Sequence, residues 1–560
     1  MSLPDDRVSG LVVKRHLTDS KTLASVTEFA KAAKISLSSA LIEKGILTNE
    51  TLASLEADDF GVPLVSLSKL TIPADVAGVI PLKTARAKKA IVFARDREGV
   101  KVAMNNPKDT TLLSMVARKT GERAIPYFAT SDDIDRTLQI YRKPIDKTIT
   151  ELLAATAQKV PGIIPDAPVA KIVDELIYAA YQDKASDIHV EPEKETVLIR
   201  FRIDGVLRDM IRLQKVLHDR VITRIKVLSN LRTDEHLSAQ DGKMRMELSE
   251  EDLDIRVSII PVTFGEKAVL RLLSSRSREY TLRDLGMNEA DLAKVTDAMN
   301  KSHGMILSCG PTGSGKTTTI YAILKVLNVR DKNITTIEDP IEYRIGGANQ
   351  VQVNAKTDLT FANGLRSILR QDPNIIFVGE IRDNETAGIA VNAGLTGHLV
   401  LSTLHTNDAA TAIPRLIDMH VEPYLVASTV NVIVAQRLVR KICQFCKAGT
   451  KVTAAELKKN IPVEIVNKHL GTKSGTDVFV GQGCKLCNGT GYSGRIGIFE
   501  VLEITKEIRK LIVERTDSEI IEQAARGEGM VMMLDDGLGK VIKGSTTIEE
   551  ILRATRVEFE

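Results

Sequence analysis

Hydrophobic and polar positions change rhythm several times along the chain. Near the start, apolar patches (Leu11, Val12, Val13; Leu41, Ile42) accompany two related segments. These are Leu17-Thr-Asp-Ser-Lys-Thr-Leu-Ala-Ser25 and Leu47-Thr-Asn-Glu-Thr-Leu-Ala-Ser54, matched with one residue of slippage. A threonine ahead of a short amphipathic run reads as a helix cap, so the repeat predicts two helical hairpins. From 60 to 140 the texture shifts. Ile91-Val-Phe and Val100-Lys-Val-Ala-Met predict short strands and Asn105-Asn-Pro a turn, hence a small α+β module. Residues 1–140 form an N-terminal module on this reading. Residues 141–168 are rich in proline and polar positions and predict a linker holding one amphipathic helix.

Strand-period alternation returns over about 169–280. Thr196-Val-Leu-Ile-Arg-Phe-Arg-Ile203 and Val206-Leu-Arg-Asp-Met flank Asp204-Gly205, a strong hairpin signal. Asp254-Ile-Arg-Val-Ser-Ile-Ile and Ala268-Val-Leu-Arg-Leu-Leu add two strands. From 281 to 560, short apolar runs alternate with helical stretches, which predicts a mostly parallel sheet covered on both faces. The longest runs, such as Ile375–Val378 and Val430–Val434, fall far short of the roughly 18–20 residues a spanning helix needs. The opening MSLPDDRVSG lacks a basic segment followed by an apolar one, so the expectation is a cytoplasmic protein whose membrane association, if any, is peripheral.

Composition narrows the function. At about 100–200 residues per domain, 560 residues hold several domains. With 76 basic against 73 acidic residues the net charge is +3, which argues against a chain that coats nucleic acid. Tryptophan is absent and aromatics are 4%, so base stacking is not the main activity, and no nucleic acid partner is expected.

The clearest chemistry lies at 310–317. Gly304-Met-Ile-Leu-Ser-Cys309 is a strand-like run, Gly310-Pro311-Thr312-Gly313-Ser314-Gly315-Lys316-Thr317 matches GxxxxGK[ST], and Thr318 continues into a helical stretch. Glycines let backbone N–H groups curl around phosphate oxygens, and the helix start adds partial positive charge. Lys316 is then expected on the β- and γ-phosphates and the Thr317 hydroxyl on Mg²⁺. Cys309 reads as a buried strand residue. Asn374-Ile-Ile-Phe-Val-Gly-Glu380 offers a carboxylate at the end of a buried strand, where open α/β sheets bind ligands. The usual pair of acids there is replaced by Gly379-Glu380. A second acidic cluster, Thr335-Thr-Ile-Glu-Asp-Pro-Ile-Glu342, and the pair His398 and His405 at the two ends of an apolar strand complete the candidate set.

Together GPTGSGKT, TTIEDPIE, IIFVGEIRD and GHLVLSTLHTN resemble the ATPases of type II secretion and type IV pilus systems, over nearly the whole chain. Ala185-Ser-Asp-Ile-His-Val-Glu-Pro192 and Arg200-Phe-Arg-Ile-Asp-Gly205 are also family-like, and the likeness is greatest to the pilus-extension members. The resemblance implies a RecA-like P-loop NTPase domain, preceded by an α+β (PAS-like) lobe and an N-terminal helical and α+β module. It implies that Glu342 polarises the attacking water, that Glu380 acts on Mg²⁺ and its waters, and that His398 and His405 couple nucleotide state to the fold. Arg256, Arg271 and Arg370 match arginines that reach the nucleotide. Read from the residues alone, they alternate on strands and fit surface ion pairs equally well. The activity implied is hydrolysis of ATP by a homo-hexamer, which drives an inner-membrane platform protein and so pilus assembly. The alternative is the type II secretion motor, and an alternative of another class is a nucleotide-gated or DNA-processing ATPase.

Cys443-Gln-Phe-Cys446 and Cys484-Lys-Leu-Cys487 are two CxxC knuckles separated by 37 residues. Two knuckles complete a tetrahedral Zn²⁺ site with no open position, which makes the zinc structural. Many members of the family carry a tetracysteine motif here, and the zinc subdomain at 443–487 is an insertion in the ATPase domain. Some relatives also bind cyclic di-GMP through an N-terminal repeat. Leu37, Leu41, Ile42, Gly45, Ile46, Leu47 and Leu52 keep part of it, but Ser36, Ser38 and Asp59 depart from it. Arginine is the natural partner of phosphate and a guanine edge, so Ser36 in its place argues against direct binding and for docking on the membrane assembly.

Overall fold

The computed structural model describes residues 5–138, 145–157, 166–248, 251–274, 280–458, 461–470 and 476–555, apart from 16, 34, 35, 44, 45, 48, 68, 69 and 71. Residues 141–144 and 158–165 of the expected linker and Gly45 of the degenerate repeat lie outside them. The chain divides into two compact units. One holds 1–144 with 443–446 and 482–491; the other holds 145–442, 447–481 and 492–560.

In the first unit the expected hairpins are the helices Asp5–Lys14, Ser20–Ala33, Leu37–Glu43 and Asn49–Phe60. Val8, Val12, Leu23, Val26, Leu41 and Leu55 meet at their centre. The cap of the second helix is Asp19, whose carboxylate accepts from Thr22 N at 2.8 Å, rather than the expected Thr18. Aspartate supplies a charged acceptor for an orphan N–H of the first turn. The α+β module follows, with strands β1 (Ala90–Asp96), β2 (Gly99–Met104) and β3 (Ala124–Phe128) in that order.

The second unit opens on the helices Ile145–Ala157 and Asp166–Gln182. Then come β4 (Ala185–Pro192), β5 (Thr196–Ile203), β6 (Val206–Gln214), the helix His218–Leu228, β7 (Gln240–Glu247), β8 (Asp252–Val262) and β9 (Gly265–Leu273). They form one antiparallel sheet, β6-β5-β4-β9-β8-β7. Alternation decides its faces. Leu253, Ile255, Val257 and Ile259 of β8, with Ala268, Leu270 and Leu272 of β9, point inward to Val173, Ile177, Val221 and Ile225 of the helices. The intervening Arg256 and Arg271 are therefore left on the opposite face, as register partners.

The remaining strands are β10 (Gly304–Cys309), β11 (Ile334–Glu338), β12 (Ala348–Gln352), β13 (Ile375–Val378), β14 (Leu399–Leu404) and β15 (Val430–Ile442), then β16 (Lys447–Val452), β17 (Thr476–Gly481) and β18 (Tyr492–Glu503). All but β16 and β17 join a seven-stranded sheet, β12-β11-β13-β14-β10-β15-β18. Every neighbouring pair is parallel except β15 with β18. Its central strands β10, β13 and β14 are buried along their whole length because both faces are covered. Met305, Leu307, Ile376, Val378, Val400 and Ile433 enter one core, and Ile306, Ile375, Phe377, Leu401, Val432 and Val434 the other. Each such side chain contributes about 1.5–3 kcal/mol on burial. The segment 447–481 packs Leu457, Val466 and Val478 on Leu534, Leu538 and Ile551 of the C-terminal helices. Among the described residues no helix is long and apolar enough to cross a membrane.

Candidate nucleotide site

The parallel register decides what meets at the carboxyl edge of the large sheet. Cys309 pairs with Leu404 and Ala435, and Ile337 with Val378. Residues 310, 339, 379 and 405 therefore leave the sheet side by side.

The loop 310–315 runs from the fully buried β10 into the helix Lys316–Leu327. Gly310 and Gly315 have φ of 146° and 92°, a region closed to most side chains. A Cβ on Gly310 would lie 2.5 Å from Ser314 Oγ and 2.6 Å from the Gln436 carbonyl. The helix start has no side-chain cap, so its first N–H groups face the loop and suit an anion. Lys316 is 8% exposed, and its Nζ donates to the carbonyls of Gly310 (2.7 Å) and Pro311 (3.1 Å). Burial pushes its pKa down. Thr317 and Thr318 are half-buried in the first turn. Cys309 is fully buried and its thiol is pushed up to about 12 by that burial, so it is inert as a nucleophile.

Sequence reasoning missed the clamp beneath this loop. Gln436, on β15 and 1% exposed, donates from Nε2 to the Ser314 carbonyl (2.7 Å) and accepts from Thr319 Oγ1 (2.6 Å). A polar residue interrupting the apolar run Val430–Ala435 is the signal that could have found it.

Glu380, two residues beyond β13, is held by Arg382 Nη2 at 2.6 Å and His405 Nε2 at 3.2 Å. His405 directly follows β14. His398 precedes that strand, and its Nδ1 meets the Ala393 carbonyl at 3.0 Å. It lies at the opposite edge of the sheet, roughly 23 Å along the strand from His405 at ~3.3 Å per residue. The expected grouping of His398 with Glu342, Glu380 and His405 is thus not met within this chain. A six-residue parallel strand separates the two histidines.

The Glu342 segment follows β11. Arg256, reaching from the outer face of the six-stranded sheet, donates from Nη2 to the Ile341 carbonyl at 2.6 Å and stands 3.6 Å from the Glu342 carboxylate. The neighbouring arginines do not join it. Arg271 Nε pairs with Asp187 at 3.0 Å, and Arg370 donates to the Arg366 carbonyl within its own helical turn. For these two the bland ion-pair or local reading describes this conformation, because Asp187 and the helix end lie nearer than the loop.

The four cysteines converge. Their sulfurs lie within 4.8 Å of one another, with 3.9 Å for Cys443–Cys484, 3.8 Å for Cys446–Cys487 and 3.7 Å for Cys484–Cys487. A tetrahedral ion bonded to sulfur at ~2.3 Å needs sulfurs ~3.8 Å apart, so the donor set fits Zn²⁺. Burial raises the Cys487 thiol, but N–H groups of Cys484 (3.1 Å) and Gly491 (3.2 Å) outweigh it and bring the thiol down to about 7. Such donors stabilise the thiolate a metal takes.

Comparison with known proteins shows the family of the chain. Residues 164–553 match the family described as type II/IV secretion system protein, and residues 60–146 match the MshEN domain. The type II secretion system protein HxcR of Pseudomonas aeruginosa is 43% identical over 446 residues, 80% of this chain and 87% of that one. The type IV pilus assembly ATPase PilB of Myxococcus xanthus is 34% identical over 565 residues, 98% of this chain and 99% of that one. The X-ray structure of the Legionella pneumophila ATPase DotB shares the fold, with a TM-score of 0.51 at 20% identity, covering 70% of this chain and 96% of that one.

Proposed function

The chain belongs to the type II/IV secretion system protein family and is a secretion and pilus motor ATPase, and on that premise we propose that it works as a homo-hexamer in which Glu342 activates water for ATP hydrolysis. The observation that carries this is the meeting of two lobes at Glu342: Arg256 of the six-stranded sheet touches the segment that leaves the phosphate-loop sheet.

The roles follow from chemistry. The 310–317 backbone and Lys316 hold the phosphates, and Lys316 exchanges its bonds to the Gly310 and Pro311 carbonyls for bonds to phosphate oxygens. Glu342 takes a proton from water as the oxygen bonds to the γ-phosphorus, and the bond from that phosphorus to the β–γ bridging oxygen breaks, leaving ADP and phosphate. Thr317 and Glu380 are oxygen donors that would hold Mg²⁺, and the ion would supply neutralisation of phosphate charge. Glu380 must then loosen from Arg382, while His405 steadies it. Because Arg256 bridges the lobes, opening of the cleft removes charge beside Glu342, which links hydrolysis to movement. Arg271 and Arg370 reach nucleotide, and His398 acts, only in other states of the ring or from another subunit.

Zn²⁺ on Cys443, Cys446, Cys484 and Cys487 is structural. The motor acts on an inner-membrane platform protein and associates peripherally with the membrane. The N-terminal module docks on that assembly. Asp59 is occupied by Arg7 at 2.7 Å and Ser38 is 3% exposed, which supports docking over cyclic di-GMP binding. The end-to-end match to a pilus assembly ATPase supports pilus extension as the work done. The higher identity to type II secretion proteins supports the second reading, protein export. Glu342→Gln tests the core of this reading. It is expected to bind ATP normally and to hydrolyse it about a hundredfold or more slowly; wild-type turnover would remove Glu342 from the mechanism. Deletion of the gene, scored for surface pili and for secreted protein, separates the two outputs.

A further inference from the structure

Glu342 has a second support that the phosphate loop itself provides. Tyr321 lies in the helix Lys316–Leu327, one turn beyond Thr317 on the same face. Its hydroxyl donates to Glu338 Oε2 at 2.6 Å. Glu338 is 2% exposed and also accepts from Thr336 Oγ1 (2.6 Å) and Gln350 Nε2 (3.1 Å). Among the described residues no basic side chain pairs with it. A carboxylate buried among neutral donors depends on each of them, because a lost donor leaves charge unsolvated.

The same two side chains hold the segment just beyond Glu342. Gln350 Nε2 donates to the Tyr343 carbonyl at 2.8 Å, and its Oε1 accepts from Ile345 N at 2.7 Å. Tyr343 N donates to the Tyr321 hydroxyl at 3.4 Å. The Tyr321 ring meets Tyr343 edge-on at 5.5 Å and Phe377 at 6.1 Å. Burial, then the charge of Glu338, push the phenol pKa up, so the hydroxyl stays a donor. Glu342 thus sits between Arg256 on Ile341 and this network on Tyr343 and Ile345.

We infer that Tyr321 is a positioning residue: through the buried Glu338 and its half-buried partner Gln350 it ties the helix that follows the phosphate loop to the backbone that aims Glu342. The inference rests on Glu342 acting on water, as proposed above. A shift of the helix on phosphate binding is transmitted to Glu342 through one hydroxyl.

The test uses the full-length chain. Tyr321→Phe keeps the ring contacts and removes the O–H. Misplacement of a catalytic group by about 1 Å costs up to ~100-fold, so kcat is expected to fall about ten- to a hundredfold. KM and the Kd of a fluorescent ATP analogue with Mg²⁺ stay unchanged, and Gln350→Leu does the same. In the Glu342→Gln background, Tyr321→Phe causes no further loss of the residual rate. Wild-type kcat in Tyr321→Phe overturns the inference, as does an equal loss in the Glu342→Gln background or a matching rise in Kd. If Tyr321→Phe melts below the assay temperature, Gln350→Leu is judged by the same three readouts. Failure of the underlying reading looks different, since Glu342→Gln alone would then hydrolyse at the wild-type rate.

Discussion

Gln436→Leu isolates what the buried clamp does for nucleotide binding. The substitution keeps roughly the same volume in β15 and abandons two partners at once, the Ser314 carbonyl and the Thr319 hydroxyl. A buried polar group left unpaired costs about 1–3 kcal/mol. Without nucleotide, the loop 310–315 can shift and rehydrate both groups. Binding then has to restore the loop, so the cost reappears as lost affinity. Taking the low end for each group, about 2 kcal/mol in total corresponds to a roughly 30-fold weaker Kd. The assay is titration of a fluorescent ATP analogue, with circular dichroism to verify the fold and turnover measured at saturating ATP. Kd should rise while kcat stays near wild type, because Gln436 touches the loop and not Glu342. Adding Thr319→Val should recover part of the affinity, since replacing both partners of a hydrogen bond by apolar groups is nearly neutral. An unchanged Kd in a folded Gln436→Leu protein would refute the clamp, and so would a fall in kcat at constant Kd.

Three further outcomes are expected. Arg256→Ala should lower kcat about ten- to a hundredfold with nucleotide affinity kept, and Arg256→Lys should restore little because a point charge cannot serve both the Ile341 carbonyl and Glu342; turnover assays on both variants decide it. The purified chain should carry one zinc by elemental analysis, and Cys484→Ser should lose it, while a chain with four intact cysteines and no tightly held metal would remove the zinc assignment. Glu550, 1% exposed, is raised by burial but bound by Arg440 and Arg553, which hold its carboxyl down at about 2. A depressed folded-state pKa gives stability that is complete above the ordinary glutamate range and lost as pH falls toward 2. The melting temperatures of wild type and Glu550→Gln should therefore differ most near neutrality and converge as pH drops from about 5 toward 2; a constant difference across that window would contradict the pairing.

How much could be read in advance depended on how local each feature is. GPTGSGKT carries its own geometry in consecutive residues, so strand, loop and helix were legible together. Glu380 was legible because four apolar residues end just before it. The cysteines were legible from their spacing, although their sulfurs come from points 41 residues apart. The helix cap at Asp19 was misplaced by one residue because threonine and aspartate are both good cap residues and stand side by side. Gln436 and Tyr321 looked like ordinary members of a buried strand and a half-buried helix, since their partners lie far away in sequence. Tyr321 in particular reads as core until Glu338 is brought beneath it.

The sequence by itself determined the elements, the phosphate loop, the sulfur donors and the inward faces of the strands, because each rests on a short period or a contiguous motif. The tertiary structure alone decided which candidates act together. Parallel register brought His405 to Glu380 and left His398 at the far edge of the sheet. Packing of the six-stranded lobe selected Arg256 for Glu342 and left its register partner Arg271 to Asp187. The physical reason is that pattern specifies which face a side chain occupies, while its charge partner is chosen by distances of a few ångströms between chain segments some 85 residues apart.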